Sequence, residues 1–118
     1  MANDFKRICT PSIGTSLTTI YAVPAGPSSA ALESIVIGIT MANKTTSGVT
    51  ASIFIDNEDG SNDVYIVKDA SITAGSSLEV MAGNKLVLMN DGSNADNLEA
   101  LSNTGSAVDV TVSVLEDV

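Results

Sequence analysis

The sequence predicts an all-β fold, an antiparallel β-sandwich of about eight strands with a jelly-roll-like arrangement, on three observations. Glycines at 14, 26, 38, 48, 60, 75, 83, 92 and 105 punctuate the chain at the spacing of short strands separated by turns. Several apolar runs alternate with a period of two, placing one set of side chains on each face of a strand. No segment sustains a helical period, and "NADNLEALS" holds one helical turn at most.

Taken in order, "SLTTIYAV" sets Leu17, Thr19, Tyr21 and Val23 on one face and stops at "PAGP", whose prolines cannot donate to a ladder. "ALESIVIGITMAN" carries Ile35, Ile37, Ile39 and Met41 on one face and Val36 on the other. Apolar residues on both faces imply a central or interface strand, and Gly38 within it implies a bulge or a close backbone contact. In "VTASIFIDNEDGSNDVYIV", Val49, Ala51, Ile53 and Ile55 share a face and "VYIVK" returns as the hairpin partner. "ASITAGSSLEVM" reads as two short strands about a Gly-Ser turn, followed by "NKLVLMN" and "NLEALS". The clearest half-buried strand is the last, "AVDVTVSVLEDV", in which Val108, Val110, Val112 and Val114 alternate with Asp109, Thr111 and Ser113.

At 118 residues the chain makes one domain. Hydrophobic residues are 44% of the sequence and charged ones 16%, which excludes disorder. With Phe5, Tyr21, Phe54 and Tyr65 as its aromatics, the core must be built from Ile, Val, Leu, Met and Ala. So thin a core implies help from partner copies, and a homo-oligomer is expected, with a trimer the first stoichiometry.

The net charge of −9 repels phosphate backbones, so no nucleic-acid partner is expected. No run of about 18 apolar residues suggests a membrane span, and the start lacks the apolar stretch of a signal peptide. With one cysteine, Cys9, and no histidine, disulfide frameworks, Cys/His metal sites and the usual nucleophile–base pairs are unavailable. The chain is therefore read as made in a reducing cytoplasm, non-enzymatic and without a cofactor.

The loop from Asp56 to Asp63 holds carboxylates and amides suited to calcium. Counted from Asp56, however, Gly60 is fifth and Val67 twelfth, where an EF-hand needs glycine sixth and glutamate twelfth. Asn, Asp and Gly are also what a long hairpin turn requires, so turn chemistry is the preferred reading and no metal site is assigned. "NDGSNADN", from Asn90 to Asn97, is read the same way. "NTG" at Asn103 to Gly105 lacks the carboxylate of an aspartic-protease triplet and is read as a turn. Tyr21 and Tyr65, which could form a glycan platform, are read as packing residues.

Residues 1–11 are assigned to an N-terminal arm and 12–118 to the sandwich. Lys6 and Arg7 are clustered cations in an acidic chain, with Phe5 and Ile8 beside them, and Pro11 interrupts regular structure after them. Phe5, Lys6, Arg7 and Ile8 are thus the candidate partner-binding residues.

The succession "IYAVPAGPSSAALESIVIGITMANKTTSGVTASIFI", "VYIVKDASITAGSSLEV", "KLVLMNDG" and "VDVTVSVLED" resembles small β-sandwich virion proteins of tailed bacteriophages, particularly those encoded beside marine and cyanobacterial phage structural genes. The resemblance spans residues 17 to 116, with the loop from Asp56 to Asp63 as an insertion. It implies a virion location and other virion structural proteins as partners, with no catalytic or metal residues. The implied role is a capsid decoration (cement) protein, or alternatively a tail, neck or fibre accessory protein. A host-surface binding module is the reading from a different class.

Overall fold

In the computed structural model, which describes residues 3–57, 60, 63–81 and 85–117, nine strands form two antiparallel sheets. They are β1 (Asn3–Ile13), β2 (Thr18–Ala22), β3 (Leu32–Asn43), β4 (Val49–Asp56), β5 (Val64–Ile72), β6 (Ser77–Glu79), β7 (Leu86–Asn90), β8 (Asn97–Ser102) and β9 (Val108–Asp117). One sheet runs β1-β9-β3-β6, with β7 also paired to β3, and the other runs β2-β8-β4-β5. Because β6 and β7 pair with different stretches of the same side of β3, they act as one interrupted strand. The pairs β1·β9, β2·β8, β3·β6/β7 and β4·β5 are then those of a long hairpin rolled on itself, which is the jelly roll.

The valines of β9 behave as their alternation demands. Val108, Val110, Val112 and Val114 are buried between the sheets, and Asp109, Thr111, Ser113 and Leu115 face outward. Aliphatic residues and methionine fill the core, with Ile13, Ile20, Ile39, Met41, Ile53, Leu88 and Leu98 the largest apolar side chains fully enclosed. Tyr21 is the one aromatic buried among the described residues.

β3 carries apolar residues on both faces for a reason particular to Gly38. Leu32, Ser34 and Val36 point inward, the register against β9 shifts between Val36 and Gly38, and Ile39, Met41 and Asn43 point inward thereafter. The bulge swaps the parity of the strand, so Ile35 and Ile37 fall on the outer face that Ile39 leaves. "VYIVK" and "ASI", expected to be separate strands, are one strand, β5. Two register shifts against β4 and a left-handed Asp69 (φ 52°), whose N–H donates to Ser52 Oγ at 2.8 Å, break its alternation.

The segment expected to be a free arm, 1–11, is placed differently. From Asn3 onward it is β1, paired with β9 from Asn3↔Asp117 to Thr10↔Val110 without interruption; Met1 and Ala2 lie outside the described residues. Pro11 falls in the irregularity between Thr10 and Ile13, where its missing N–H costs no ladder bond, and Ser12 turns left-handed at φ 61°. Proline therefore ends a stretch of regular pairing that begins before it.

The turn from Asn90 to Asn97 is organised by its own side chains, as read from the sequence. Asp91 Oδ1 accepts from the N–H groups of Ser93 and Asn94, Asn90 Oδ1 from that of Gly92, and Asp96 Oδ2 from that of Met89. Gly92 sits at φ 100°, and a Cβ there would collide with the carbonyl oxygen of Ser29. Gly92→Ala is expected to cost about 1–3 kcal/mol through backbone strain alone, read as a lower thermal midpoint. Gly105→Ala, with open space around it, serves as the control.

Candidate assembly surface

The four candidate residues on β1 divide between its two faces. Lys6 and Ile8 point inward, toward a groove of about 430 Å³ between β1 and β2, with Thr10, Ile20, Tyr21, Pro24 and Glu116 around them. Phe5, 73% exposed, points outward with Arg7 and the free thiol of Cys9. They do not form one patch.

Phe5 does belong to a larger feature. It stands opposite Leu115 of β9, which stands opposite Ile35 of β3, which stands opposite Val87 of β7. Directly paired residues share a face, so this is an apolar row across the outside of the sheet. Ile37 and Met89 are exposed beside it, and Arg7 and Glu33 contribute charge near it. The row is assembled from four segments far apart in sequence, so no local run announces it.

On the inner side, Lys6 Nζ lies 2.9 Å from Glu116 Oε1, and the Tyr21 hydroxyl donates to Glu116 Oε2 at 2.6 Å. With the phenolic proton committed to the carboxylate, the Ser34 hydroxyl, 2.6 Å away, donates to the tyrosine oxygen. Glu116 is 2% exposed, and both its oxygens are engaged. The hydrogen bond and charge of Glu116 raise the Lys6 ammonium above the usual lysine range. Burial, and then the same carboxylate, raises the Tyr21 hydroxyl above the usual tyrosine range. The network ties β1 and β9 to β2 across the two sheets, and its chemistry is that of a structural bolt. The sequence held a signal for it, since Glu116 lies in phase with the buried valines of β9.

Elsewhere charge is arranged at turns. Lys44 Nζ meets Asp109 Oδ1 at 2.9 Å and Ser12 Oγ at 2.8 Å, and the lysine bond together with the Ser12 N–H lowers the Asp109 carboxyl. At the β4–β5 tip, the Asn57 N–H donates to Asp63 Oδ1 at 2.8 Å and Gly60 turns at φ 79°, which is turn chemistry. Glu58, Asp59, Ser61 and Asn62 lie outside the described residues. Among the described residues no three His, Cys, Asp or Glu side chains are grouped to hold a metal. Tyr65, expected to pack, lies edge-on to Phe54 at 5.1 Å with Lys68 5.2 Å above its ring, but it is 45% exposed and lies outside the core.

Partial burial, and then the charges of Asp56 and Asp63, raise the Glu99 carboxyl above its ordinary range. The folded state therefore holds a proton that the unfolded state has released, and stability falls as pH rises from the ordinary glutamate range through the folded value. Glu99→Gln should thus stabilise the protein at pH 7, by under about 1 kcal/mol for so open a site. The gain should vanish in melts below the ordinary glutamate range.

These features define a jelly-roll β-sandwich domain with an apolar outer row on its β1-β9-β3 sheet. No protein-family model matches the sequence, and no curated protein is significantly similar to it. Among solved structures, the chain is similar to one from the T13 IBDV viral particle, with a TM-score of 0.50 and 12% identity, over 97% of this chain and 30% of that one. It also overlays a chain of the Bacillus endospore appendages, described as disulfide-linked pili, with a TM-score of 0.47 and 15% identity, over 97% of this chain and 85% of that one. At such identities the likeness concerns fold alone. This chain spans less than a third of the viral one.

Proposed function

We propose that this chain is a non-enzymatic structural subunit of an assembled particle, and specifically a bacteriophage virion protein of the capsid decoration type. The observation that carries the reading is the outer row Phe5, Leu115, Ile35 and Val87, an apolar face on a sheet whose other face already closes the core. Exposed apolar surface of that kind marks sites of association. The jelly roll is a fold of viral coats, among others, and supports the reading at the level of architecture. The sequence resemblance to phage virion proteins supplies the particle.

The mechanism is mass action. A subunit that binds only the assembled shell stabilises that shell by about 2.7 kcal/mol per site at 100 times its dissociation constant. Its partners are other virion structural proteins, and it is made in the host cytoplasm before incorporation.

The test is rebinding. Purified chain is added to heads from a phage deleted for its gene, and occupancy and the temperature of genome release are measured. Full occupancy with a raised release temperature is expected, and Val87→Glu should weaken binding without lowering the thermal midpoint of the free chain. Heads that take up no chain would overturn the reading.

A further inference from the structure

We propose that β1 is an open sheet edge at which two copies of this chain pair antiparallel about a two-fold axis centred on Phe5. The proposal is independent of which particle the chain serves.

The four sheet edges are not alike. β5 is bulged twice and carries Lys68 and the left-handed Asp69; β2 has five residues and a register shift between Thr19 and Tyr21. The β6/β7 edge is broken in two, and there Glu79 Oε2 accepts from the Ile39 N–H at 3.2 Å. Such interruptions are how folded proteins blunt edges against further pairing. β1 has none from Asn3 to Thr10: it follows β9 residue by residue, and its other side pairs with no strand among the described residues.

The sequence of this edge selects its occupant. A two-fold axis perpendicular to the sheet keeps inner face with inner face, so one residue must stand opposite its own copy. Centring on Asp4 sets carboxylate against carboxylate, and centring on Lys6 or Arg7 sets cation against cation, all unfavourable cross-strand pairs. Centring on Ile8 pairs Asp4 with Ser12, which lies in the bulge, and leaves every charge without a complement. Centring on Cys9 sets Arg7 against Pro11. Centring on Phe5 pairs the two rings, sets each Asp4 against Lys6 of the second copy and each Asn3 against its Arg7. Lys6 has donors to spare, since its ammonium carries three and Glu116 takes one. In this register the apolar rows also join, running from Val87 through Ile35, Leu115 and Phe5 into their counterparts on the second copy.

The full-length chain is measured by size-exclusion chromatography with light scattering over a micromolar concentration series. The expected mass is that of two chains, and Asp4→Lys, which turns both charge pairs repulsive, should weaken association at least tenfold while keeping the wild-type fold by circular dichroism. Register is read by cysteine scanning in a Cys9→Ser background. Phe5→Cys faces itself at about 4.5–5.5 Å between Cα atoms, within disulfide reach, and should oxidise to a cross-linked dimer. Arg7→Cys, roughly 14 Å from its own copy, should stay uncross-linked. A chain that stays monomeric at high micromolar concentration, a trimer, or cross-linking through Arg7→Cys as fast as through Phe5→Cys would overturn the proposal.

Discussion

Deleting residues 2–10 is expected to abolish cooperative folding. The deletion removes the whole uninterrupted ladder between β1 and β9, and with it Ile8, which packs against the core. It also removes Lys6, leaving the Glu116 carboxylate buried with Tyr21 as its remaining partner. Stranding that charge, at a site water can reach from the Lys6 end, costs about 2–4 kcal/mol. Losing the partly buried Ile8 adds about 1 kcal/mol. With the β1–β9 ladder lost as well, these terms reach the lower part of the stability of a domain, about 5–15 kcal/mol. Circular dichroism melts should show no sharp transition at 25 °C or above. A truncated chain that melts within a few degrees of the intact one would restore the reading of this segment as a free arm.

The second large effect is expected at Lys6 alone. Lys6→Met should cost about 2–4 kcal/mol, below the full penalty for a buried pair because the lysine side chain is 47% exposed and water can reach the site from its end. Glu116→Gln in the same chain should recover part of the loss by removing the stranded charge, and a double-mutant cycle gives the coupling. The pH dependence has a definite sign. The lysine is raised in the folded state, so its contribution is complete below the ordinary lysine value and is lost as pH rises through the folded one. Wild type and Lys6→Met should therefore converge only in strongly alkaline melts, run at one chain concentration. A loss that Glu116→Gln does not relieve would contradict the network.

What was legible in the sequence was the repeating part of the fold. Alternating valines placed β9 correctly, and Gly38 marked the bulge that turns β3 over. The start of the chain was not legible, because from Asp4 to Thr10 the inner face of β1 has only Ile8 as an apolar residue, and the buried Ile13 lies beyond the irregularity, out of phase with it, so the two-residue period has nothing to show. Pro11 reinforced the wrong boundary, although it sits in an irregularity that tolerates it. Phe5, Lys6, Arg7 and Ile8, the candidate partner-binding residues, are neighbours in sequence, and strand geometry divides them between two faces of β1. The apolar row was hidden for the opposite reason, since its members become neighbours only through the register of β1, β9, β3 and β7. Glu116 was readable from its phase with the valines, but its partners Lys6 and Tyr21 come from the strands β1 and β2.

The central proposal, that this chain is a structural component of a phage virion, is tested most directly by quantitative mass spectrometry of purified particles from a phage whose genome carries its gene. The account predicts a fixed stoichiometry of hundreds of copies per particle, in constant ratio to the major capsid protein across preparations. Purified, infectious particles devoid of the chain would contradict it.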